Sequence, residues 1–525
     1  MRTYAALIIL ACCLTAEAHI GSPNVFLEDK AGAFPVRVVI RPPQVVPGLA
    51  EITVRVTEPV QRITVLPVFW KVSRKDAPPA DEARLVRGET NLYSAQLWLM
   101  SPGAYSVDVT VEGARGTGTL AVPVNAMATN TRPMSQGYGL MLAVLGVVLF
   151  IGGLTIARAI FTESHLAPGT LPAACDRCRG RIAMAATAVA LALLAYGGKK
   201  WWDAEDHNYR NNSLYKPLAV EAQVRSDHDQ LIMALKVDTS ARRGRWTPLI
   251  PDHGKLMHLF LVQDGPAGAF AHLHPVSRGA AQFEVPLPPL PAGPYHLYAD
   301  VTHEDGFAET LVATAEIPAS SFAMKNLWLA KSGEAICSIA VAQMLATNLY
   351  FPPDLDDSWH MSRGTTTSKS AESTRLVTDA GGGYKIAWEN PGDKANNLDA
   401  SLRFKLLTPD GRIAWVEPYM GMAGHAVVRR QDGAVFSHIH PVGTFSMAAQ
   451  KFLLAEKPPK NSGSTAPTRS APEVHSNHTN QVSTIGEVFF PYAFPEPGTY
   501  RLWVQMKSEG RILTGAFDTT IASTK

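Results

Sequence analysis

Cysteine is scarce in this chain of 525 residues, and so is any imbalance of charge. The five cysteines stand at 12, 13, 175, 178 and 337. Two lie in an N-terminal leader and two between apolar runs, which leaves Cys337 without a mate and excludes a disulfide framework for an exported part. With 48 Lys and Arg against 46 Asp and Glu the formal charge is +2. A balance so close to neutral withholds the basic surface that nucleic-acid binding needs. No nucleophile–base–orienter set, phosphate loop or pair of catalytic carboxylates stands out, and this argues against an enzyme. Histidine is almost missing from the first 200 residues, since fourteen of the 16 follow residue 198.

Proline (38) and glycine (40) are plentiful, a composition that favours turn-rich β architecture. Residues 1–18 have the parts of a secretory signal: Arg2, an apolar run to Leu14, then Ala16-Glu17-Ala18 before His19. Lipidation at Cys12 is the alternative reading of the same stretch. Residues 137–157 (21 without a charge) and 182–198 (17) are long enough to span a bilayer, and Trp201 and Trp202 suit its interface. Arg158, Arg177, Arg179 and Arg181 place the 158–181 connector on the cytoplasmic side. Residues 19–136 and 199–525 are then expected outside the cytoplasmic membrane, in a bacterial periplasm.

Short alternating segments separated by Pro and Gly predict an all-β protein: three Ig-like β-sandwich domains plus a two-helix transmembrane hairpin. The sandwiches are expected over 19–130, 199–320 and 373–525. The last two repeat one strand order, and such duplication is a strong architectural signal. A partly helical linker covers 321–372, in which apolar 335–351 is read as a packed helix and not a third span. Residues 457–480, rich in Ser, Thr, Pro and Asn, are expected to be a disordered insertion.

The duplicated unit carries the chemistry. Ala271-His272-Leu273-His274-Pro275 follows His258, and Ser437-His438-Ile439-His440-Pro441 follows His425, at intervals of 14 and 13 residues. Residues i and i+2 of a strand share one face, about 6.5–7 Å apart. A neighbouring strand bearing His258 or His425 would complete three imidazoles, a set that suits copper or, alternatively, zinc and leaves a position open. The competing reading is a framework of hydrogen-bonded histidines that brace loops. Proline after each pair ends the strand and predicts a site at the edge or mouth of a sandwich. Met420 and Met422 are thioether donors that favour Cu(I), or else core filler. The matching stretch in the first copy is Asp252-His253-Gly254-Lys255-Leu256-Met257-His258. Asp300, His296 and His303, present only in the first copy, read as surface groups. A mature N-terminal His19 could chelate copper with its α-amine and imidazole if another domain supplied a second histidine. His475 and His478 read as exposed loop residues, and Cys175-Asp176-Arg177-Cys178 as half of a zinc or dithiol site that lacks its partner pair.

The stretches 251–258 and 270–275, with their counterparts 421–425 and 436–441, resemble exported β-sandwich domains of the YtkA-like and FixH-like families. His19 adds a slighter resemblance to CopC-like copper carriers. The resemblance implies extracytoplasmic handling of copper, with storage, resistance or delivery as the role. It also implies a metal-receiving membrane protein, such as an oxidase or a pump, as partner. The rival classes are an envelope interaction protein without metal and a copper-dependent oxidase-type enzyme.

Overall fold

The computed structural model describes residues 19–20, 24–167, 169–227, 230–240, 246–265, 268–319, 353–361, 375–392, 394–396, 400–455 and 486–524. The leader, Cys12, residues 335–351 with Cys337, and the 457–480 insertion with His475 and His478 lie outside them. The chain is mostly β, with several sheets and two long apolar helices, and forms two units.

One unit, Gln44–Val46 with Met127–Tyr215, holds the helices Gln136–Glu163 and Ala174–Asn208. Both are long and apolar enough to cross a membrane. Leu140, Leu145, Val148, Leu149, Leu193 and Leu194 are exposed on them, the disposition expected of a surface that meets lipid. The helices run past the predicted spans at both inner ends, so the connector between them is shorter than 158–181. The second also continues well beyond residue 198. A helix satisfies its backbone within itself and need not stop where the apolar run stops; Lys199–Asp203 and Arg210–Asp206 ion pairs support the polar extension. Cys175 and Cys178 are exposed free thiols in the first turns of the second helix.

The other unit is the β body. Its first sandwich packs a five-stranded sheet containing Val25–Ala31, Phe34–Arg41, Gly48–Val56 and Leu92–Leu99 with a four-stranded sheet built on Arg62–Phe69, Gly103–Gly113 and Gly116–Ala126. The second copy of the repeat is a sandwich of a four-stranded and a six-stranded sheet. In the first copy the ladder is continuous: nine strands form one sheet that bends around its own core, joined through the parallel pairing of Ala219 with Val312. Its last strand, Ser358–Met361, pairs with Ala269–Leu273 and belongs to a stretch that the sequence assigns to the linker. The first copy therefore extends past residue 320.

The strands His258–Val262 and Ala269–Leu273 are buried at every position. Period-2 alternation explains how. Leu259, Leu261, Ala271 and Leu273 enter their own core, while Phe260, Val262 and Phe270 project from the opposite face. The second copy does the same: Ala426, Val428, Val435 and Ile439 point inward, Val427 and Phe436 outward. The two outward faces meet. Tyr298 stacks on Phe436 at 3.9 Å with an interplanar angle of 3°, and Phe270 on Trp503 at 4.9 Å and 12°. This apolar seam joins the copies face to face, and the histidines stand on the same outward faces.

Candidate metal centre

Each triad converges. The candidate ligand atoms of His258, His272 and His274 lie within 4.8 Å of one another, and so do those of His425, His438 and His440. His272 and His438 lie inside their strands; His274 and His440 fall one residue past the strand ends. The centre lies on the seam between the two copies, and not at the mouth of either sandwich. The predicted position fails because only the pairing of the copies covers these faces.

His425 Nε2 lies 3.1 Å from the Tyr419 carbonyl oxygen, which can only accept, so that nitrogen carries a proton. His438 Nδ1 lies 3.3 Å from the carboxylate of Asp300. Burial pushes the Asp300 pKa up to about 6. A neutral imidazole has one proton, so His425 Nδ1 presents its lone pair to His438 Nε2 at 3.1 Å. Burial first, and the neighbouring imidazoles next, hold both rings far below the ordinary histidine range. A proton on His438 Nε2 or a shared cation satisfies the pair. Two nitrogens at about 2.0–2.1 Å from one tetrahedral ion lie roughly 3.3 Å apart, close to the observed spacing.

The first copy repeats the pattern. His258 Nε2 lies 3.1 Å from the Asp252 carbonyl oxygen, His272 Nδ1 lies 2.9 Å from Gln505 Oε1, and His258 Nδ1 faces His272 Nε2 at 3.1 Å. His274 Nδ1 lies 3.0 Å from Asp357 Oδ1, which also accepts from the His274 backbone N–H. Metal-bound histidines are oriented by such acceptors on the far ring nitrogen. His274 Nε2 and both ring nitrogens of His440 are buried without a hydrogen-bond partner, a costly state for polar atoms that ligate nothing. A third grouping, His274 with Asp354 and Asp357, shares His274. Lys255 Nζ pairs with Asp354 there, so these acids serve as an outer support.

The outer acceptors are exchanged between copies. Asp300 pairs across strands with His258 yet reaches His438; Gln505 pairs with His425 yet reaches His272. Sequence reasoning placed Asp300 at the surface and passed over Gln505, because their service to the opposite copy is visible only in three dimensions. His303 is also no surface residue: it is buried and bonded to Glu309 at 2.9 Å. His296 is partly exposed, 2.9 Å from Asp264.

His253 is the histidine that sequence reasoning left out. Its ring lies 5.0 Å from that of His440 and 5.3 Å from that of His425, although it belongs to the first copy. It has φ 50° and precedes Gly254 at φ 82°. Met420 (φ 50°) and Gly421 (φ 79°) repeat the turn, so Met420 is the positional counterpart of His253. A non-glycine residue at positive φ is uncommon and marks positions that the surroundings hold in place. The available signal was the duplicated turn, Asp252-His253-Gly254 against Tyr419-Met420-Gly421. Met422 is buried. His19 pairs through its backbone with Val435 at the sheet edge, three positions before His438 in the chain.

A protein family described only as a domain of unknown function (DUF8832) matches residues 378–523, which is the second copy of the repeat. No curated protein matches the chain. Among solved structures, a tetra-tandem repeat from the extending region of a large adhesion protein is 7% identical, with 95% of this chain and 74% of that chain covered and a TM-score of 0.15. A protein from Corynebacterium diphtheriae, provisionally described as membrane anchored, is 9% identical, with 96% of each chain covered and a TM-score of 0.13. Dimeric latent PorU from Porphyromonas gingivalis is 7% identical, with 96% and 34% covered and a TM-score of 0.14. Scores this low carry no argument about function.

Proposed function

We propose that this chain is a membrane-anchored, extracytoplasmic copper-binding protein that holds copper in two three-histidine sites for storage, resistance or delivery. The observation that carries the reading is the convergence of each triad, whose candidate ligand atoms lie within 4.8 Å of one another, with His274 Nε2 and both ring nitrogens of His440 buried without a hydrogen-bond partner. A framework of hydrogen-bonded histidines would leave no such nitrogens without a partner. Copper is preferred over zinc on the all-imidazole set and on Met420 and Met422 in the adjoining turn. The resemblance to YtkA-like and FixH-like domains supports the same reading, and the arginines at the inner ends of the two helices support a β body outside the membrane. On this reading the receiving partner is a membrane protein such as an oxidase or pump.

Metal analysis of the full-length chain purified in detergent tests the proposal. Copper should co-purify and should resist competition by zinc; it should be lost from the His272→Ala/His438→Ala double variant. A folded, metal-free chain that takes up neither ion would leave the framework reading standing. The closeness of the two triads favours one second reading, an oxidase-type copper enzyme. Oxygen uptake in the presence of a reductant would support the enzyme, and its absence from the copper-loaded protein would support the carrier.

A further inference from the structure

The rings of the two triads lie close to one another across the seam. Ring separations within the triads run from 4.5 to 5.4 Å. Those that cross between copies are of the same order: 5.5 Å for His258–His438, 5.6 Å for His272–His438 and 6.2 Å for His272–His425. His253 adds a seventh ring, 5.0 Å from His440 and 6.2 Å from His258. Its Nε2 is buried and has no hydrogen-bond partner, as do His274 Nε2 and both nitrogens of His440.

We infer that the two copies build one dinuclear metal centre across their seam, and that His253 of the first copy serves the ion held by His425, His438 and His440. The inference rests on the metal reading above and goes beyond it in stoichiometry, in the coupling of the two ions and in a ligand that crosses between copies. Three features carry it: the closeness of the rings across the seam, the reach of Asp300 and Gln505 to the opposite copy, and His253 Nε2, buried without a hydrogen-bond partner and 3.7 Å from Asp252 Oδ1. The two positions are unequal. Where His253 offers an imidazole to one triad, the counterpart turn has Met420, a softer thioether donor. An additional imidazole at one position alone makes the two ions unequal.

The test is loading of the full-length chain in detergent with Cu(II), removal of unbound ion, and measurement of copper per chain with electron paramagnetic resonance on the same sample. Two ions per chain, with a half-field transition and less signal than two isolated ions would show, are expected. One ion per chain, or two with independent unperturbed spectra, would overturn the dinuclear centre and leave the metal reading intact. No copper at all would overturn both. His253→Asn keeps a residue that tolerates the left-handed backbone and removes the imidazole. It should weaken one of the two binding steps at least tenfold and leave the other unchanged. His253→Gln checks that loss of the ring, and not of the turn, is responsible. Two unchanged binding steps in both folded variants would remove His253 from the centre.

Discussion

At the scale of single residues, the site depends on which ring nitrogen carries the proton. The Tyr419 and Asp252 carbonyls decide this for His425 and His258, Gln505 Oε1 faces His272 Nδ1, and the Asp300 carboxylate lies beside His438 Nδ1. Replacing an outer acceptor leaves every ligand in place but frees the ring to turn or change tautomer. Asp300→Asn is therefore expected to weaken copper binding by about 10–100-fold, the usual cost of losing such a partner, in a competition titration against a chelator of known affinity. Unchanged affinity would mean that Asp300 only shares the space. His440→Ala removes a ring whose two nitrogens have no hydrogen-bond partner. A framework histidine in that position would cost little to replace, whereas a ligand would cost an ion, so copper per chain separates the two.

At the scale of elements, the seam is held by aromatic stacking on the faces that carry the ligands. Phe436 is fully buried between Tyr298 and Phe260, at 3.9 and 5.5 Å. Phe436→Ala should destabilise the packing of the copies by ~3–5 kcal/mol, the range for deleting a buried aromatic side chain. It should also speed copper loss although no ligand changes. A lower denaturant midpoint together with faster transfer of copper to a chelator is the expected result. Normal retention in a destabilised variant would show that each triad holds its ion without the seam.

At the scale of the whole molecule, one unit provides the apolar helices and the other the centre. An ion that binds only the folded seam stabilises it by mass action, about 2.7 kcal/mol when free ion is at 100 times the dissociation constant. Stripping copper should therefore lower the unfolding temperature of the β unit, and re-adding copper should restore it. Equal unfolding temperatures with and without metal would argue against a centre that bridges the copies. The exposed Leu and Val side chains of the two helices predict that the chain remains with membranes after high-salt and alkaline washes. Release into the wash would refute their insertion.

Much of this was legible in the linear chain, for reasons of period and repetition. Strand alternation, the apolar runs and the doubled His-x-His-Pro depend on near neighbours, and the chain is mostly β with the candidate ligand atoms of each triad within 4.8 Å of one another. His253, Asp300 and Gln505 were not legible, because each acts on the opposite copy and no spacing encodes that reach. The fully buried strand His258–Val262 shows why. Local pattern says that one face of a strand enters a core, but not what covers the other face. The sequence by itself determined two like modules and the residues able to ligate. Only the tertiary structure decided that the modules close on each other. It did so because burying two aromatic faces together is favourable, and that closure carries the imidazoles of both copies into a single cluster.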